Sequence, residues 1–207
     1  MISASRLEKI RNKCGFLSGI CISSNGRSGG LGFWWKDIDA QLLSYDRHHI
    51  AMKVVGSDGG TLWKAIGVYR WPEVANRHKT WSMLNALCRN NADPMVLFGD
   101  FNEILCDSEK EGGVVRSERQ MDAFRSALDE CALEDLGFYG NIFTWQRGRG
   151  DGTVIRERLD RAVANFEWCQ RFPKAVVRNF PLYSSDHSAI LIHEQVEGEQ
   201  HRQGQRF

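Results

Sequence analysis

The chain has 207 residues and a mass of 23.6 kDa, with 42% apolar residues, seven Trp and eleven Phe, which excludes a disordered polypeptide and fits one large domain with its own core. Its 27 basic residues oppose 26 acidic ones for a net charge of +1. That balance excludes a protein drawn to polyanions by its overall field, so any nucleic-acid contact must be made by a local patch.

The chain opens on a helix: Ser5 and Glu8 have the spacing of a capping box, and Leu7 and Ile10 give an apolar edge. The charged start has no apolar h-region and no stretch approaches a membrane span, so a nuclear or cytoplasmic protein that is not secreted is expected. Six scattered cysteines without a CxxC pair point to free thiols.

Residues 16–23 and 31–35 read as strands around the turn 25–30, and two more strands follow near 50–55 and 62–69. After Pro72 the period becomes helical through Trp81, Leu84, Leu87 and Cys88. The continuous apolar run Met95-Val96-Leu97-Phe98 predicts a strand covered on both faces. Met121, Phe124, Leu128 and Cys131 form the stripe of a second helix. Short strands are expected at 142–145, 157–164, 175–180 and 189–193, with a short helix around 166–172. Residues 194–207 are polar and patternless, so the domain is expected to span 1–193 and the remainder to be a disordered tail.

Three local features carry chemistry. In Gly99-Asp100-Phe101-Asn102, alternation puts an acid and an amide on one face just beyond a buried strand, although the same residues also suit an Asx turn. Ser185-Asp186-His187 offers an oxygen ligand for a hard metal and an imidazole for proton transfer or phosphate contact. Arg158-Leu159-Asp160-Arg161 is either an amphipathic strand edge with alternating charges or the source of an acid that orients His187. The densest basic patch is Arg147-Gly148-Arg149-Gly150 with Arg156, Arg158 and Arg161.

In order, Gly67-Val68-Tyr69 with Pro72, Gly99-Asp100-Phe101-Asn102, Thr144-Trp145, Arg158-Leu159-Asp160-Arg161 and Ser185-Asp186-His187 resemble the successive motifs of the endonuclease/exonuclease/phosphatase superfamily. The finer wording, in Gly29-Gly30-Leu31, Pro72-Glu73, Glu103-Ile104 and Ala162, is similar to plant non-LTR (LINE-type) retrotransposon reading frames, where a reverse transcriptase accompanies the nuclease. The resemblance covers roughly residues 5–193.

It implies an α/β four-layer α-β-β-α sandwich of two packed mixed β-sheets, with the active site at one edge and the first strands lacking. It further implies metal-dependent phosphodiester hydrolysis of the DNA endonuclease type, with the DNA backbone as partner and Mg2+, or Mn2+, as cofactor. Asp100 would orient or deprotonate water, Asn102 would bind the scissile phosphate, and Asp160 would hold His187, which contacts the phosphate. Tyr69 would hydrogen-bond a phosphate oxygen, Asp186 would serve the metal, and Thr144, Trp145, Arg147 and Arg149 would face the DNA.

Two departures accompany the resemblance: Arg70 stands where the family has Gly, and the Glu that is the family's principal metal ligand has no counterpart. Glu8 is the only acid in the first 30 residues and lies in the predicted helix. The chain is therefore expected to be N-terminally truncated. A catalytically inactive DNA-binding remnant and a phosphatase of the same superfamily stay open as alternatives.

Overall fold

The computed structural model describes residues 2–25, 28–69, 71, 76–89, 92–148, 152–182 and 185–194. Helix α1 (Ala4–Lys13) leads to β1 (Ser18–Cys21), a two-residue hairpin of β2 (Ser24–Asn25) and β3 (Ser28–Gly29), and β4 (Gly32–Trp35). β5 (Ala40–Tyr45), β6 (His49–Val55) and β7 (Thr61–Tyr69) form a meander, followed by α2 (Arg77–Cys88), β8 (Met95–Asp100), β9 (Lys110–Glu111) and α3 (Glu118–Glu130). The remaining elements are β10 (Leu133–Asp135), β11 (Tyr139–Gly140), β12 (Trp145–Gly148), β13 (Val154–Glu157), β14 (Asp160–Asn165), α4 (Phe166–Arg171), β15 (Ala175–Phe180) and β16 (Ala189–Glu194).

The main sheet has the order β10-β14-β8-β7-β6-β5, in which only the β7–β8 pair is parallel. Alternation along β8 splits its side chains between two cores. Met95 and Leu97 pack with Leu84 of α2 and Phe124 and Leu128 of α3, while Val96 packs with Ala164, Trp168 and Ile192 on the other side. That explains why residues 95–98 read as one apolar run. The second layer contains the mixed sheet β11-β15-β16 and the β1–β4 pair, whose Phe33 meets Phe98 of β8 at 5.9 Å between ring centroids. α1 lies on β1 and β4 and closes the fourth layer. Two packed mixed sheets with helices outside are thus the observed architecture.

Several sequence expectations need correction. The N-cap of α1 is Ser3, whose hydroxyl accepts from the Arg6 amide at 3.2 Å, and Ser5 lies within the helix. The strand expected at 142–145 begins only at Trp145, and the one expected over 157–164 breaks at Arg158-Leu159 into β13 and β14. Thr144 lies at the first discontinuity and Arg158 at the second because both are fixed by other contacts, described below. β5 was not anticipated, since four of its six residues are exposed and leave no alternation to detect. β16 extends through Glu194, and residues 195–207, expected as a tail, lie outside the described residues. Among the described residues, all six cysteines are free and no helix is long and apolar enough to cross a membrane.

Candidate active site

The site is assembled at one end of the main sheet. Register pairs Asp160 of β14 with Asp100 of β8, and Asp100 with Tyr69 of β7, so three of the expected residues stand in one row across neighbouring strands. Neighbouring strands are ~4.8 Å apart, which keeps adjacent members of the row close enough to act on one group.

Past Asp100 the chain turns sharply. Asn102 adopts φ 48°, a left-handed conformation that Asn tolerates better than other side-chain-bearing residues. The turn is held by the Asp100 carboxylate, which accepts from the Asn102 amide at 2.8 Å and from its side-chain Nδ2 at 2.6 Å. The motif is thus an Asx turn: the strand ends at Asp100, so this turn, and not alternation along an extended segment, brings the amide against the acid.

The segment bearing Asp186 and His187 is stitched beside this row. Trp145 and His187 form an antiparallel bridge, the Gln146 amide donates to the Asp186 carbonyl at 2.9 Å, and the Ser188 amide donates to the Thr144 carbonyl at 2.6 Å. The Trp145 indole N–H reaches Asp186 Oδ2 at 3.2 Å, and the His187 amide donates to Ser185 Oγ at 3.0 Å. His187 Nδ1 then meets Asp160 Oδ2 at 2.8 Å. Partial burial disfavours the imidazolium, but the hydrogen bond to Asp160 and the charges of Asp160, Asp100 and Asp186 outweigh it and raise the His187 pKa above the ordinary value. A doubly protonated ring would spend one N–H on Asp160 and keep Nε2–H as a donor for an anionic oxygen.

Thr144 has a different place from the one expected. It is 1% exposed, and its hydroxyl accepts from the Leu159 and Asp160 amides at 2.9 and 2.8 Å. It braces the entry to β14 and does not form a wall toward solvent, whereas Trp145 is partly exposed and Arg147 is exposed two residues along β12. Arg149 and Arg70 lie outside the described residues, as do Pro72 and Glu73.

The expected arginine patch is smaller than its spacing suggested. Arg158 and Arg161 are each 1% exposed and point into the protein. Arg158 donates to Glu109 at 2.7 Å and to Asp135 at 2.8 Å, and Arg161 donates to the same two carboxylates at 2.7 Å each. Arg156 pairs with Glu111 at 2.9 Å on the surface. Asp160, between the buried arginines, points the other way toward His187, so this one segment anchors and equips the site. Glu109 and Asp135 were missed from sequence because nothing in their local pattern marks them as buried.

Among the described residues, no group of three or more His, Cys, Asp or Glu side chains converges as a metal cage. The hollow beside Thr144, Trp145, Asp186 and His187 has a volume of about 40 Å³, far below the ~300–1,000 Å³ of small-molecule pockets.

A family model described as "Endonuclease/Exonuclease/phosphatase family" matches residues 3–187. No curated protein matches the chain. Among solved structures, the endonuclease domain of TRAS1, a telomere-specific non-LTR retrotransposon, superposes with TM-score 0.69 at 13% identity, covering 94% of this chain and 93% of that one. An endonuclease/exonuclease/phosphatase family protein from Leptotrichia buccalis gives TM-score 0.52 at 15% identity, covering 93% of this chain and 76% of its own. D. rerio TDP2 complexed with single-strand DNA product gives 0.53 at 12%, covering 91% and 81%. At these identities the likeness is one of fold.

Proposed function

Since the chain belongs to the endonuclease/exonuclease/phosphatase family, we propose that it hydrolyses DNA phosphodiesters as an endonuclease of the non-LTR retrotransposon type. The observation that carries the reading is the 2.8 Å pair of His187 and Asp160, set in register beside Asp100 and its partner Asn102.

Hydrolysis brings water to a centre that is already anionic, so the site must bind the phosphate, orient the water and tolerate growing negative charge. His187 Nε2–H binds a non-bridging oxygen while Asp160 fixes the ring and stabilises its charge. Asp100 accepts a proton from the attacking water, and the Asn102 amide orients Asp100 and contributes a further donor to the phosphate. Tyr69, one strand away, donates its hydroxyl to another phosphate oxygen. Arg147 and the face of Trp145 carry the flanking backbone.

The donor chemistry available to a hard divalent cation here is the exposed carboxylate of Asp186. Asp186 would hold Mg2+, which would supply Lewis acidity at the phosphate oxygens when bound. The test is nicking of supercoiled plasmid by the purified 207-residue chain with Mg2+, with EDTA, and with His187→Ala. Mg2+-dependent nicking that His187→Ala abolishes is the expected result; no nicking, or nicking that survives the substitution, refutes the reading.

A further inference from the structure

Beyond Tyr69 the row of residues at the sheet end continues onto an aromatic stack. The Tyr69 amide donates to the His48 carbonyl at 2.8 Å, and His48 Nδ1 bonds the Tyr69 carbonyl at 3.0 Å. His48 is buried, and the partly exposed Trp71 covers it with ring centroids 3.4 Å apart and planes within 17°. The Tyr69 ring is nearly parallel to the His48 ring as well, at 10° and 6.4 Å.

The turn under this stack is stiff. Asp46 Oδ1 accepts from the His48 amide at 2.7 Å, from the His49 amide at 2.9 Å and from His49 Nδ1 at 2.9 Å, while His49 Nε2 meets Ser44 Oγ at 2.9 Å. These bonds fix His48, the ring on which Trp71 rests, and a preorganised support lowers the entropy lost when something stacks on the indole.

Resting on the nuclease reading above, we propose that Trp71, backed by His48, is a base-stacking platform for the DNA strand whose phosphate lies at His187 and Asp100. The order Asp160, Asp100, Tyr69, His48 spans three strand spacings, ~14 Å at ~4.8 Å each. A stacked strand advances ~3.4 Å per nucleotide, so a strand running along the row reaches Trp71 about four nucleotides from the reacting phosphate, or fewer if it is stretched. One face of the indole is taken by His48, and the other is the kind of flat apolar surface on which any base can stack. The platform sets where the strand is gripped, without reading its sequence.

The experiment compares the affinity, in EDTA, of the full chain for two labelled single strands of equal length and charge, one of ordinary nucleotides and one of abasic spacers. The wild type is expected to prefer the base-bearing strand roughly tenfold, the worth of one base–aromatic stack. Trp71→Leu keeps an apolar cover on His48 but has no π face, and it should erase most of that preference while the affinity for the abasic strand stays the same. Trp71→Phe should restore the preference in part. A preference that Trp71→Leu leaves unchanged overturns the platform alone, since the strand is then gripped elsewhere. Failure of the wild type to bind either strand also overturns the platform, while the nuclease reading falls separately, on the absence of Mg2+-dependent plasmid nicking.

Discussion

Glu109→Gln tests the claim that the buried charges scaffold the site. In the wild type two guanidinium groups and two carboxylates neutralise one another with at most 8% of any side chain exposed. Glu109 accepts from Arg158 and Arg161 at 2.7 Å each and from the Leu105 amide at 2.7 Å. A Gln of the same shape removes one negative charge and turns an N–H2 toward a guanidinium, leaving two buried cations with only Asp135 to compensate. Breaking a buried pair from one side costs about 3–5 kcal/mol, and for a domain of this size each kcal/mol is ~2–4 °C in Tm, so a fall of about 6–20 °C is expected. Urea unfolding followed by Trp fluorescence gives the free energy directly. The control is Glu118→Gln, whose partner Arg125 is on the surface and whose loss should be below ~1 kcal/mol.

The same network fixes an acid limb. Burial alone would raise the Glu109 and Asp135 pKa values, but the charges and hydrogen bonds of Arg161 and Arg158 outweigh it and hold both below their ordinary values. A carboxylate with a depressed folded pKa contributes its full stabilisation above its unfolded pKa, near ~4, and loses it as pH falls through the folded value. Stability of the wild type should therefore drop steeply below about pH 4, and Glu109→Gln should flatten that slope. A loss no larger than the Glu118→Gln control, or an unchanged acid slope, refutes the scaffold argument.

Thr144→Val keeps the volume but withdraws the acceptor shared by the Leu159 and Asp160 amides. Leaving buried donors unsatisfied costs ~1–3 kcal/mol each, so for two donors urea unfolding should show a loss of about 2–6 kcal/mol, and an effect under ~1 kcal/mol would deny the brace. Arg147→Ala should weaken DNA binding and lower the slope of log K against log salt by ~1, the signature of one lost phosphate contact. An unchanged slope would place Arg147 off the DNA path.

Much of the scaffold was legible because period encodes it. The β8 run and the α3 stripe of Met121, Phe124 and Leu128 each follow one period, and Met95, Val96, Leu97 and the three α3 residues are buried, with Phe98 partly so. The site motifs were legible for a related reason: Asp100 with Asn102, and Asp186 with His187, are local in sequence. What could not be read is what depends on distant partners. Arg158 and Arg161 looked like surface cations because Glu109 lies 49 and 52 residues from them. Thr144 was misplaced in the same way, since its two amide donors, Leu159 and Asp160, stand 15 and 16 residues later where β14 begins. The stack of His48 and Trp71 likewise arises only once β7 lies beside the turn before β6.

The left-handed backbone of Asn102 has a practical consequence for anyone dissecting this centre. Replacing it with Ala removes the amide and, with it, the side-chain bond to Asp100 that helps Asn hold a conformation costing other Cβ-bearing residues ~1–2 kcal/mol, so lost turnover would confound two causes. Gly occupies φ 48° without that penalty, so it deletes the side chain without adding backbone strain. The difference between the Gly and Ala variants measures the cost of holding a Cβ in the curve of the chain, and the loss that Gly shares with Ala is that of the side-chain amide.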